Sequence, residues 1–307
     1  MSELKSENVT VRKLAIATAV VSLLPIGMGS LVTTLGAGMA FPDWPTSDGQ
    51  GMLTYPIHLA VGHQFVEHGH RLAGVLIGLF SIALCVVAWA THSTRGVKAG
   101  SAVVLTGVII QGGIGGLRVL MDQKVMAYAH SVFGCCVFVA LCLVVLMSGN
   151  HWRERHPTTS RESSLRIVAF LLPGIALLQY VLGGAVRHFG AGLDFHIAGA
   201  LATVVAAIAA VGISSKCGSC EIRRVARFVG MAVLCQIALG VGTCITKYGL
   251  PSIGFVAIQD STSQVVFRTV HTVAGMAVVA SSFAWGITVV RTTGAFRATL
   301  SSKIVAV

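Results

Sequence analysis

Four histidines recur at equivalent places along the chain, and imidazole is a ligand that iron accepts. His70, His130, His196 and His271 each stand near the start of an apolar segment, after a loop that follows a segment ending in small residues. An ionisable side chain within a membrane segment is costly and usually functional. Two histidines in each half of the chain suit a bis-histidine haem in each half. A zinc site would usually add a carboxylate or a cysteine.

Glu67 is the acidic residue that stands in the apolar part of a segment, one turn before His70. A carboxylate beside a haem can take a proton or stabilise developing positive charge. Its structural alternative is an ion pair with Arg71, four residues further on. Four arginines stand near the histidine ends of the segments, where they either pair with haem propionates or extend to the membrane interface. They are Arg71, Arg118, Arg187 and Arg268.

The composition places these residues in a membrane protein, since 54% of the 307 residues are hydrophobic and 11% are charged. A soluble domain of that length could not bury so much apolar surface. Apolar stretches of about 20 residues predict eight transmembrane helices. The first stretch is too long for the apolar region of a signal peptide, so an uncleaved helix is expected. We expect the helices near 14–35, 64–90, 99–117, 125–147, 167–186, 195–213, 228–246 and 265–290.

The net charge of +11 is explained by membrane topology. If the N-terminus is inside, most of the 22 basic residues fall in inner segments, as cytoplasmic loops require. The distribution predicts a multi-pass protein of the inner (plasma) membrane with both termini cytoplasmic and all four histidines toward the outer leaflet. It gives no support to nucleic-acid binding.

Internal similarity divides the chain into two halves. Helix 3 ends in QGGIGGLR at 111–118 and helix 5 ends in QYVLGGAVR at 179–187, and a histidine follows each. Small residues let helices approach closely in lipid, and a flat macrocycle also needs room. The polar stretch 149–166 separates residues 1–158 from 159–307. We expect an all-α integral membrane protein whose eight helices form two pseudo-symmetric four-helix bundles, related as parallel repeats.

Two motifs resemble those of a known family. The stretch EHGHRLAG, from Glu67 to Gly74, resembles the E-x-x-H-R motif of the haem A synthase family. The stretch FPDWP, from Phe41 to Pro45, resembles the D-W-P stretch of that family's first outer loop. The Gly-Gly-x-x-Arg pattern before His130 fits as well, and the resemblance extends over the whole chain through the order of the four histidines.

The resemblance implies an enzyme that oxidises a ring methyl of haem O to the formyl group of haem A, for assembly of cytochrome oxidase. It implies that residues 1–158 hold the substrate or product haem through His70 and His130, with Glu67 as the catalytic carboxylate. Residues 159–307 would hold haem b through His196 and His271. The implied partners are haem O, membrane lipid, an electron acceptor, and haem O synthase or oxidase assembly factors.

The chain departs from many bacterial members of that family, because its outer loops lack their cysteine pair. Either it represents a cysteine-free branch, or thiol chemistry is not part of its mechanism. A di-haem b-type electron-transfer cytochrome is the alternative function, since it needs the same four histidines and no catalytic carboxylate. A transporter built from parallel repeats is a third possibility and predicts no bound chromophore.

Overall fold

The protein is described by a computed structural model that covers residues 2–149, 152 and 162–293. Within these residues there are eight long α-helices, each long and apolar enough to cross a membrane. The predicted fold class is therefore confirmed. The helices are α1 (Ser2–Thr34), α2 (His63–Ala90), α3 (Arg95–Met121), α4 (Lys124–Met147), α5 (Glu162–Phe189), α6 (Leu193–Ser215), α7 (Cys220–Tyr248) and α8 (Thr262–Thr292).

The helices extend beyond the apolar stretches that predicted them, because polar residues can form their terminal turns. α3 begins at Arg95, where the Thr94 side chain accepts a hydrogen bond from the backbone N–H of Val97. α7 begins at Cys220, and the Ser219 hydroxyl accepts from the N–H of Ile222 in the same way. Such caps satisfy the free N–H groups of a first turn, which hydropathy alone does not register.

The described chain divides into two compact units by its packing. The first contains residues 2–149 with 237–276, and the second contains 152, 162–236 and 277–293. In the first unit α1 packs on α2 and α4, and α3 packs on the same two helices, so that the four helices close a bundle. The functional division into 1–158 and 159–307 stays a prediction, and its boundary lies outside the described residues.

An aliphatic cluster fills one end of this first bundle. It joins the beginning of α1 and α3 to the end of α2 and α4, and its eight buried residues include Leu84, Val104, Leu141 and Val144. The opposite end of the same helices carries His70 and His130. We call that second end the histidine end of the bundle. The apolar packing thus stabilises the four helices away from the polar residues that could do chemistry.

In the second unit α5 pairs with α6 through a connection of three residues, 190–192. α8 joins them through the buried Trp285, whose indole N–H donates to the Ser214 hydroxyl at 3.1 Å. Gly286 lets α8 come close to α5, since a Cβ there would lie 2.6 Å from the carbonyl oxygen of Ala169. Small residues therefore permit close helix packing in this unit, as membrane helices commonly require.

The connection between α1 and α2 is long and folded. Residues 35–62, which we call the first loop, contain a short antiparallel hairpin of β1 (Thr46–Ser47) and β2 (Gln50–Gly51) and a 3₁₀ turn at Ile57–Leu59. Phe41 is fully buried, although it belongs to a loop. Its ring contacts the Tyr55 ring edge-on, at 5.1 Å between centroids, and lies 5.9 Å from the ring of His68 at the beginning of α2. The first loop is therefore packed onto the histidine end of the first unit.

Candidate functional site

Each of the four predicted histidines lies against a glycine of the helix that precedes it. A Cβ atom built on that glycine would approach the imidazole Cε1 atom to about the limit of van der Waals contact or closer. We call this arrangement the glycine–imidazole contact. The four pairs are Gly29 with His70 at 2.8 Å, Gly115 with His130 at 3.0 Å, Gly183 with His196 at 2.9 Å, and Gly240 with His271 at 3.1 Å.

The structure brings His70 and His130 together. Their ring centroids are 6.1 Å apart and the ring planes are nearly perpendicular, at 83°. A metal–imidazole bond is about 2 Å long and the ring centre lies about 1 Å beyond the nitrogen, so two imidazoles on opposite sides of one iron have centres about 6 Å apart. The separation of these two rings therefore fits bis-histidine ligation of a haem.

The hydrogen bond of His70 supports the same fit. Its Nδ1 lies 3.0 Å from the carbonyl oxygen of Pro25. A carbonyl can only accept, so Nδ1 carries the proton and Nε2 keeps its lone pair. Histidines that bind metals commonly donate their other ring N–H to a carbonyl, which fixes the tautomer and the orientation of the ring.

Two glutamines to which the sequence patterns assign no role contact two of the other histidines, His130 and His196. The side-chain amide nitrogen of Gln111 donates to the backbone carbonyl of His130 at 2.9 Å and lies 3.2 Å from the ring Nε2. Gln179 does the same at His196, at 2.9 Å from the carbonyl and 3.0 Å from the ring Nδ1. Each amide therefore links the later part of one helix, α3 or α5, to the histidine of the helix that follows, α4 or α6.

The signal for these glutamines was present in the sequence. Gln111 and Gln179 stand four residues before the glycines that contact His130 and His196, and Gln236 stands four residues before Gly240. In α1 the equivalent position, four residues before Gly29, is Pro25. The spacing of four puts both residues on one face of the helix. The first repeat therefore uses a backbone carbonyl at the place where two others use a glutamine amide.

Glu67 is buried, with 2% of its surface exposed, and both of its oxygens are hydrogen-bonded. Oε1 forms the expected ion pair with Arg71, at 2.8 Å from Nη2. Oε2 accepts from the backbone N–H of Phe41 at 3.1 Å. A charged group in an apolar place is stabilised by such bonds. The Glu67 carboxylate is therefore held in a fixed position one turn from His70.

Arg71 binds the first loop in addition to its ion pair with Glu67. Its guanidinium donates to the carbonyl oxygens of Phe41, Asp43 and Thr46, at 3.0, 3.0 and 2.7 Å. Arg118 reaches the same loop and donates to the carbonyl of Gly38. These contacts bind the stretch 38–46 to the histidine end of the first unit. A role of either arginine toward a haem propionate stays a prediction.

The turn of the first loop contains a carboxylate with a shifted pKa. Partial burial raises the pKa of Asp43, but hydrogen bonds from the Thr46 side chain and from the backbone N–H groups of Gly49 and Asp48 outweigh it, so the pKa lies below its ordinary value. The neighbouring Trp44 ring lies on Gly116 of α3, where a Cβ would come within 2.4 Å of it. The D-W-P stretch is thus attached to both α2 and α3.

The remaining predicted residues belong to the second half of the sequence. His196, in the second turn of α6, and Arg187, near the end of α5, lie in the second unit. His271 and Arg268, in α8, lie in the first unit with His70. All four side chains are half-buried. The pairing of His196 with His271, and that of the two arginines with propionates, stay predictions.

The donor set favours haem over a bare metal ion. Among residues 2–149, 152 and 162–293 there is no group of three or more histidine, cysteine, aspartate or glutamate side chains that could hold an ion. Two facing imidazoles are too few for a structural zinc site. They suffice for haem iron, since the macrocycle supplies its equatorial nitrogens.

Comparison with known proteins points in the same direction. Residues 52–198, which include Glu67, His70, His130 and His196, match a family described as cytochrome oxidase assembly protein. The chain is 30% identical over 190 residues to heme A synthase of Symbiobacterium thermophilum, covering 59% of this chain and 60% of that protein. It is 26% identical over 190 residues to heme A synthase of Exiguobacterium sibiricum, covering 59% and 61%.

A shorter match reaches heme A synthase of Bacillus cereus, at 30% identity over 126 residues, which cover 40% of this chain and 39% of that protein. The chain thus spans about three fifths of the length of the first two curated relatives. The resemblance carried by the stretch from Glu67 to Gly74 is confirmed, since this stretch lies within the matched region 52–198, whereas the stretch from Phe41 to Pro45 precedes that region.

Proposed function

Because the chain is related to the haem A synthase family through residues 52–198, we propose that it is a membrane oxidoreductase that converts haem O to haem A. The reaction oxidises a ring methyl group to a formyl group. One observation carries the proposal: the buried carboxylate of Glu67 stands one turn from His70, whose ring faces that of His130 at 6.1 Å. The matched region contains all three residues.

In the proposed reaction, the residues of the first unit have separate roles. His70 and His130 bind the haem that reacts, and Pro25 and Gln111 orient their rings. The haem that these histidines would hold is the substrate, and with water as the source of the formyl oxygen its methyl group would deliver four electrons to an external acceptor and release four protons. Glu67 takes up a proton as the carbon is oxidised or stabilises the positive charge that develops. The Phe41 N–H and Arg71 keep its oxygens in place.

A second haem, haem b, is proposed for His196 and His271. The support is the glycine–imidazole contact, which both histidines share with His70 and His130. Arg187 and Arg268 are proposed to pair with its propionates, and Arg71 and Arg118 with those of the reacting haem, because guanidinium groups bind carboxylates with two hydrogen bonds. Neither His196 nor His271 has an acidic residue one turn before it, so electron transfer is the role we assign to this haem.

The protein is a multi-pass membrane protein by its eight apolar helices. We propose the plasma membrane as its location, with both termini cytoplasmic, because its basic residues concentrate in the segments that this orientation places inside. Haem O is the proposed substrate. Haem O synthase, oxidase assembly factors and an electron acceptor are the proposed partners within the same membrane.

The first test is an absorption spectrum and a haem extraction. The protein is purified from membranes of cells that do or do not make haem O, and the extracted haems are separated and identified. We expect haem b in both preparations and haem A only where haem O is made. Haem b alone in both preparations would contradict the proposed reaction, and a protein without any chromophore would favour the transporter.

A di-haem b-type cytochrome is the second candidate, and the equal glycine–imidazole contacts of the two halves favour it. Haem A formation by the parent protein separates the two, and Glu67→Gln then tests the carboxylate, because glutamine keeps the shape of the side chain and removes its charge. The reaction predicts a fall in haem A formation of about 10²- to 10⁴-fold with haem b content unchanged. Asp194→Asn, at an exposed residue in the first turn of α6, is the matched control. Unchanged haem A formation in Glu67→Gln would reject Glu67 as the base.

A further inference from the structure

The glycines that contact the four histidines have a more specific task than general helix packing. We propose that Gly29, Gly115, Gly183 and Gly240 are positioning residues, each of which leaves the space that one imidazole ring occupies and so fixes where the ring nitrogens point. The proposal rests on the proposed function to the extent that the four histidines bind haem. It adds residues to which that function assigns nothing.

Neighbouring glycines show that the contact is selective. In α3 a Cβ on Gly115 would lie 3.0 Å from His130, whereas Cβ atoms on Gly112 and Gly113 would meet no atom of the described residues within 4 Å. In α1 a Cβ on Gly29 would lie 2.8 Å from His70, whereas one on Gly27 would be equally free of the described chain. If close helix packing alone required the glycines, all of them would contact a neighbouring helix.

A side chain at any of these glycines would change the orientation of the imidazole ring, because of the atom that it would contact. In all four pairs the nearest atom is Cε1, which lies between the two ring nitrogens. A methyl group at the glycine must displace Cε1, and both nitrogens turn with it. The imidazole is the mobile end of a side chain, so the ring moves while the helices keep their places. An alanine at these positions is therefore expected to change ligand geometry more than folding.

In three of the four pairs the residue four positions before the glycine also contacts the ring. Pro25 accepts from His70, and the amides of Gln111 and Gln179 contact His130 and His196. The contact and the hydrogen bond come from the same face of one helix, so together they fix the ring in two directions. Replacing a partner that accepts from a metal-binding histidine, as Pro25 accepts from His70, typically changes metal affinity by 10- to 100-fold. The amides of Gln111 and Gln179 donate instead, and each also holds its histidine through the backbone carbonyl.

The test compares alanine substitutions on one helix. Gly183→Ala in α5 is paired with Gly174→Ala, and Gly115→Ala in α3 with Gly112→Ala, because Cβ atoms at both control positions are free of contacts with described residues. The full-length protein is purified with its haems, and haem content, the absorption spectrum and the electron paramagnetic resonance of the ferric protein are measured. We expect shifted low-spin signals and about tenfold weaker haem binding in the first member of each pair. Unchanged spectra and haem content in both would overturn the proposal.

A double-mutant cycle keeps the test decisive if a variant accumulates poorly. Gly115→Ala, His130→Ala and the double variant are compared with the parent by thermal unfolding in detergent, in protein from cells depleted of haem. If the imidazole is what the added methyl meets, the effect of Gly115→Ala disappears in the His130→Ala background. An equal effect in both backgrounds would overturn the proposal. Because this cycle requires neither haem nor turnover, it stands or falls independently of haem A formation.

Discussion

The α1–α2 pair and the α5–α6 pair are built on the same contact but have different surroundings. Gly29 contacts His70 in the first pair and Gly183 contacts His196 in the second, at nearly equal distances of 2.8 and 2.9 Å. Three residues connect α5 to α6, whereas the 28-residue first loop, 35–62, connects α1 to α2. In the first pair alone, the turn before the histidine carries a buried carboxylate, Glu67.

Under the proposed function, the difference separates the residues that would bind haem from those that would take part in the chemistry. The glycine–imidazole contact is common to both pairs, as a binding function would require. The Glu67 carboxylate, its Arg71 partner and the loop held by them are found in the first pair. An asymmetry imposed on a repeat in this way indicates a step that one half performs and the other does not.

The largest expected effect is a difference between His70 and His196 in which haem is lost when each is replaced. His70→Ala is expected to abolish haem A formation and to leave haem b in place, because His196 and His271 are the proposed ligands of haem b. His196→Ala is expected to lower the haem b content itself. Haem extraction and a difference spectrum of each purified variant check this. Loss of the same haem from both variants would break the functional distinction between the pairs.

The next effect concerns the ion pair between Glu67 and Arg71. Arg71→Gln leaves Glu67 buried without its charged partner and releases three loop carbonyls, so we expect a loss of about 3–5 kcal/mol in stability. The first loop should then be cleaved faster by added protease. Arg12→Gln, at an exposed position of α1, is the control. If the two variants unfold and are cleaved alike, Arg71 does not hold the loop.

A smaller and symmetric effect is expected from the glutamines. Gln111→Leu and Gln179→Leu each remove an amide that bonds a histidine carbonyl, at a cost of about 1–3 kcal/mol because a polar group is left without its bond. Thermal unfolding in detergent measures this, with Gln50→Leu in the exposed β2 strand as control. A clear stability loss in one variant and none in the other would show that the two repeats are not equivalent at this position.

The smallest effect is a pH dependence confined to the first loop. The lowered pKa of Asp43 means that its ionised form stabilises the turn at neutral pH, and that this contribution is lost as the pH falls through the folded-state value. Hydrogen exchange of the amides of Asp48 and Gly49 should therefore accelerate on acidification. In Asp43→Asn the exchange should be faster already at neutral pH and should lose this response. A parent protein with no such response would remove Asp43 as the cause.

Local patterns in the sequence were sufficient for the helices and for one contact of the site. Eight apolar stretches gave eight helices, and the spacing of four between Glu67 and Arg71 gave their ion pair, because both depend on residues close in the chain. The bond between Glu67 and the N–H of Phe41 was not predictable, since a folded loop brings together residues 26 positions apart. The selective contact of Gly115, rather than Gly112, also depends on how α3 is rotated against α4.

The aliphatic cluster at the far end of the first bundle has a consequence for proton transfer to and from Glu67. Side chains such as Leu84, Val104 and Leu141 have no donors or acceptors, so they act as an insulating layer across the bundle. In the proposed reaction, a proton taken up by Glu67 would therefore leave toward the first loop and not through this layer. The proposed oxidation would then release its protons on one side of the membrane.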